Sequence, residues 1–141
     1  MRAVLVMDGP KVDPIGDGVA SALRARGYDS AIFRPARAFD REVGGADLMA
    51  VGFPVAGLLG GRAPEATTSF VGRLPPLRDT PTAVFCVGGT GAEKALASVT
   101  DALAVRGALV LAARTFRRWA VGGVAPFVDS FLEAVAERRG T

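Results

Sequence analysis

The chain has 141 residues, enough for one domain with one good core and too few for two of ordinary size. Half of the residues are hydrophobic, there is no histidine, and the single cysteine allows no internal disulfide. These totals exclude Ser-His-Asp and Cys-His catalysis, histidine-bearing metal sites, zinc clusters and Cys-ligated iron–sulfur clusters. Carboxylate chemistry, backbone cradles for phosphate and a borrowed cofactor remain.

The net charge of +3 rests on 15 arginines and only two lysines. The arginines are scattered rather than striped and aromatics are few, so no nucleic-acid partner is expected. Apolar runs fall well short of a bilayer span, which predicts no membrane segment. The opening RAVLVM carries no secretory pattern, and with one cysteine a cytoplasmic location is expected.

In chain order, Arg2 to Met7 reads as a short apolar strand. DGPKVDPIGDG follows, and a helix then begins at Asp13-Pro14 or at Asp17, with Val19 and Leu23 at helical spacing and Gly27 closing it. Ser30 to Phe33 is a second strand, and the polar segment to Gly45 reads as loop with a short helical turn. Leu48 to Val51 is the third strand, followed by a glycine-rich loop to about Ala63 and a modest helix from Pro64-Glu65 to about Arg73. The prolines of LPPLRDTP exclude a central strand or a helix there.

Thr82 to Val87 is apolar on both faces, as a central parallel strand should be. Gly88-Gly89-Thr90-Gly91 follows, and Thr90 to Glu93 fits a capping box ahead of a helix carrying Leu96, Val99 and Leu103. Ala108 to Ala112 is the fifth strand. The basic, aromatic ARTFRRW stretch leads to a last helix opening at Pro126, with Phe127, Phe131, Leu132 and Val135 as its inner stripe.

Strands alternating with helices predict one α/β domain over 1–141, a five-stranded, doubly wound parallel sheet covered on both faces. At this length the expected strand order is 2-1-3-4-5. The order then reverses between strands one and three, so DGPKVDPIGDG and GFPVAGLLGG flank a crevice at the sheet's carboxyl edge, with VGGTGAE beside them.

ADLMAVGFPVAGLLGG resembles the third strand and following loop of the flavodoxin-like superfamily, which takes in small flavodoxins and FMN-dependent reductases. LPPLRDTPTAVFCVGGTGAEKALASVTDALAVRGALVL is similar to that family's fourth strand, loop, helix and fifth strand. The resemblance spans nearly the whole chain. It implies FMN held by three loops. The first, with Gly9, Pro10, Lys11 and Asp17, would cradle the phosphate. The second, Pro54, Val55, Ala56 and Gly57, would lie against the isoalloxazine, and the third, Gly88, Gly89, Thr90 and Gly91, would edge it with backbone amides. Trp119, after the fifth strand, lies on the same edge, as a packing residue or as a lid reaching inward over the ring.

The first loop departs from the family's hydroxyl-rich T-x-T-G-x-T run. No serine or threonine lies between Asp8 and Gly18; three aspartates (Asp8, Asp13, Asp17) and Lys11 stand there instead. Two functions follow. In one, the chain binds FMN and serves electron transfer to a partner protein or reduction of a small acceptor. In the other, it has lost FMN and acts as a binding or interaction module.

Other features have bland readings beside sharper ones. The acidic trio is a solvated turn or a Mg²⁺ site, and Cys86 is an inert buried thiol or a redox residue. Arg114, Arg117 and Arg118 form an exposed basic loop or bind a phosphate or an acidic partner. The apolar second loop could also be a homodimer contact.

Overall fold

The computed structural model describes residues 1–38, 43–57 and 60–140. Five strands form one parallel sheet: β1 (Arg2–Met7), β2 (Asp29–Phe33), β3 (Leu48–Pro54), β4 (Pro81–Val87) and β5 (Leu109–Phe116). Their order is β2-β1-β3-β4-β5, as the alternation of elements predicts. Among the described residues four α-helices cover it: α1 (Asp13–Ala25), α2 (Glu65–Gly72), α3 (Ala92–Val105) and α4 (Val124–Arg139). After β2 the chain makes a 3₁₀ turn at Pro35–Arg37; of the expected loop to Gly45, residues 39–42 lie outside the described residues.

Period-two alternation along each central strand divides the apolar side chains between two cores. Ala3, Leu5, Met7, Ala50 and Phe85 face α1 and α4, while Val4, Val6, Val51, Phe53 and Cys86 face α2 and α3. Phe85, Phe116 and Phe127 close the first core edge to face, with centroids 5.5 to 6.1 Å apart.

Two strands run further than their composition suggests. β3 continues through Gly52, Phe53 and Pro54, residues that read as loop. Gly52 is there because a Cβ would sit 2.4 Å from the Phe85 ring, and Pro54 is tolerated as the strand's last residue. β5 continues through Arg114, Thr115 and Phe116. It is an edge strand with a bulge opposite Thr82 and Ala83, so charged side chains can leave it towards solvent.

The helix starts also differ in detail. α1 begins at Asp13, the earlier of the two expected positions, with Pro14 in its first turn. α4 begins at Val124, which places Pro126 inside the first turn. The capping box before α3 does not form. Gly91, at φ 79°, takes the N-cap position with no side-chain cap, and Glu93 accepts a hydrogen bond from Thr115 Oγ1 at 3.0 Å instead.

Gly52→Ala should lower stability by about 1–3 kcal/mol, because the new methyl must displace Phe85 or Met7 in a filled core. Urea denaturation measures this; an unchanged midpoint would mean that the core yields without cost.

Candidate functional site

The register of the central strands brings the three glycine-bearing loops to one edge. Met7 at the end of β1 lies opposite Gly52 of β3, and Pro54 at the end of β3 lies opposite Val87 of β4. Each strand delivers its following loop to that edge.

The first loop is closed on itself. Gly9 turns with φ 96°, and Val12 buries its side chain completely in the core beneath the start of α1. The N–H groups of Gly9, Val12, Asp13 and Gly16 donate to the carbonyls of Met7, Gly9, Pro10 and Val12 at 2.8 to 3.3 Å. Pro10 and Pro14 carry no N–H. Asp8 donates its N–H to Gly52 O at 2.9 Å, and its carboxylate accepts from Thr67 Oγ1 at 2.5 Å.

Arg34 completes the closure from β2's carboxyl end. Its Nη1 and Nη2 reach the two Asp13 oxygens at 2.8 Å each, and Nη1 also donates to Met7 O at 3.1 Å. The guanidinium is pushed above its ordinary value, first by the hydrogen bond to Asp13, with desolvation opposing and the charges of Asp13, Asp8 and Asp17 adding. Lys11 and Asp17 stand exposed. Three carboxylates therefore face two cations, and Arg34's fork is already filled.

The second and third loops meet directly. Val55 N–H donates to Val87 O at 3.0 Å, and Ala56 pairs with Arg62 in an antiparallel bridge. Leu58 and Leu59 lie outside the described residues. A Cβ on Gly60 would stand 2.1 Å from Thr90 O, and one on Gly91 would stand 2.2 Å from Gly61 N. Glycine is required at this backbone-to-backbone contact. Pro54, Val55, Ala56 and Gly88 are half-buried beside exposed Gly57, Gly89 and Thr90.

Trp119 does not reach inward. It is 66% exposed in a turn where its own φ is 71°, and Arg118 stacks over its ring at 5.3 Å. The turn and the stack hold the ring at the surface. Cys86, fully buried in β4, is an inert thiol in chemical terms: burial, with Glu93 adding, pushes it up to about 12. Among the described residues no group of three or more Asp, Glu or Cys side chains is placed to hold a metal ion, and Asp8 and Asp13 are already engaged.

A different opening lies on the β5 side of the third loop. An open crevice of about 860 Å³ runs between Gly88–Thr90, the start of α3, and β5's end with the turn after it.

No family model matches the sequence, and no curated protein matches it either. The fold does match solved structures. A flavodoxin from Streptococcus pneumonia TIGR4 superposes with a TM-score of 0.80 at 20% identity, over 98% of this chain and 99% of that one. The two-electron reduced flavodoxin of Megasphaera elsdenii gives 0.79 at 19% identity, over 97% and 99%. The flavodiiron protein from Giardia intestinalis gives 0.71 at 11% identity, covering 96% of this chain and 37% of that one. The chain has the flavodoxin-like fold. At these identities the likeness concerns the fold alone.

FMN is the cofactor that this fold family implies, and the resemblance would assign its phosphate to the first loop. The residues there do not fit a phosphate dianion. The amides of Asp8, Gly9, Val12, Asp13 and Gly16 are already bonded within the protein, the loop offers no hydroxyl, and its carboxylates outnumber its cations. Arg34 was not legible as part of this loop, since it follows β2 and joins only because β2 and β1 are neighbours in the sheet.

Arg34→Met should cost at most about 1 kcal/mol, as a half-exposed pair does, while speeding hydrogen exchange at Val12 and Asp13. Unchanged exchange at both amides would show that the pair does not close the loop. The Cys86 thiol should resist thiol reagents at pH 8 and react only when the protein unfolds; rapid labelling of the native state would contradict its burial.

Proposed function

We propose that this chain is a flavodoxin-fold binding module that does not carry a phosphate-anchored FMN. The observation that supports this most directly is the filled first loop, in which Asp13 occupies the Arg34 fork. A dianion placed there would have to displace Asp13 from Arg34 beside two further aspartates, Asp8 and Asp17. The amides of Gly9, Val12, Asp13 and Gly16, which could have replaced part of its water shell, are spent on neighbouring carbonyls.

A second reading is an FMN-dependent electron carrier or reductase, serving a redox partner protein or a small acceptor. It is favoured by the platform of Pro54–Gly57 beside Gly88–Gly91, whose half-open backbone and small side chains suit the face and edge of a flat ring. On this reading the ring supplies the grip, and the flavin supplies the electron chemistry.

The purified protein should be colourless and leave FMN fluorescence unchanged at micromolar concentrations. Riboflavin is the control that separates the readings. Quenching of FMN but not riboflavin that persists in Arg117→Ala would reveal a working phosphate grip at the first loop and overturn the proposal. Equal quenching of both would establish the second reading, with the ring alone bound.

A further inference from the structure

We propose that the crevice at the carboxyl ends of β4 and β5 is a binding site for a small phosphorylated ligand, with Arg114, Arg117 and Arg118 as its anion-binding groups. The inference rests on this crevice's own charge and shape, and holds whichever flavin reading is correct.

Charge is the first support. Arg114, Arg117 and Arg118 line the opening together with one carboxylate, Glu93. Among the described residues no ion pair at 4 Å or less involves Arg114, Arg117 or Arg118. Glu93 is turned to Thr115, whose Oγ1 donates to it at 3.0 Å. Uncompensated like charges lining a concave, low-dielectric wall focus a field that attracts anions.

Orientation is the second. Arg114 lies over the Phe116 ring at 4.9 Å and donates from Nη1 to Gly123 O at 3.2 Å, which fixes its guanidinium at the crevice wall. Arg118 is laid over Trp119 at 5.3 Å. Stacked guanidinium groups lose less freedom on binding a phosphate than mobile ones, and their planar forks match its oxygens. Arg117, between them in sequence, is exposed. Trp119 itself holds a φ of 71°, uncommon outside glycine, and presents its ring to solvent beside this opening. Strained residues of this kind cluster at ligand sites.

Shape is the third. A concavity of about 860 Å³ matches the size of small-molecule sites, whereas an acidic protein surface would meet a flatter patch. Gly88, Gly89 and Thr90 form the opposite wall, and a Cβ on Gly89 would meet nothing within 4 Å, so the backbone is open to approach. A ligand bearing a phosphate against the arginines and a hydroxyl or amino donor towards Glu93 would engage the charged groups of the lining.

The chain's single tryptophan makes the test direct, because Trp119 fluorescence reports on its own neighbourhood. Titration with inorganic pyrophosphate and with AMP should give a saturable change for at least one probe. Arg117→Ala, which removes an exposed side chain and leaves the core intact, should weaken that binding by at least about tenfold. Glu93→Gln should tighten pyrophosphate binding by removing the facing negative charge, and Asp13→Ala in the first loop should leave it unchanged. No saturable response at millimolar probe, equal affinity in Arg117→Ala, or loss of binding in Asp13→Ala would each overturn the proposal.

Discussion

The bidentate pair between Arg34 and Asp13 decides what the first loop can hold. It sits where β1, β2 and the start of α1 converge, and Arg34 also takes the last carbonyl of β1. Being half-exposed, the pair contributes little to global stability. Its effect is on shape and charge. Once Asp13 fills the guanidinium fork and Val12 drops into the core, the Arg34 fork and the amides of Gly9, Val12 and Asp13 are already in use.

The glycine contact between the second and third loops has the complementary role. Gly60 presses against Thr90 and Gly91 against Gly61 with no space for a methyl group on Gly60 or Gly91, so these two loops meet backbone to backbone. The third loop borders the β4–β5 crevice through Gly88 to Thr90. Uncompensated positive charge, absent from the first loop, is concentrated there. The fold keeps the ligand-bearing edge of an open parallel sheet, while the attraction for anions lies further along it.

The sheet order was legible because alternating apolar strands and helices of this length leave few topologies. The ends of β3 and β5 were not. Gly52-Phe53-Pro54 reads as loop until Phe85 is seen to need the space above Gly52, and Arg114-Thr115-Phe116 reads as a basic turn until β5 is recognised as an edge. Thr90 fits a capping box by spacing, yet Gly91 can adopt a left-handed turn without strain and takes the cap position. Lys11 was visible in the first loop, but Arg34, 21 residues from Asp13, entered only through the pairing of β1 with β2. The orientation of Trp119 depends on its backbone and on Arg118, and spacing carries neither.

Amide chemical-shift mapping with pyrophosphate tests the central claim most directly, since it reads the first loop and the crevice in one experiment. Shifts confined to Gly88–Glu93 and Arg114–Ala120, with Gly9–Asp17 unmoved, are the predicted result. Shifts centred on Gly9–Asp17 would contradict it and return the anion site to the start of α1.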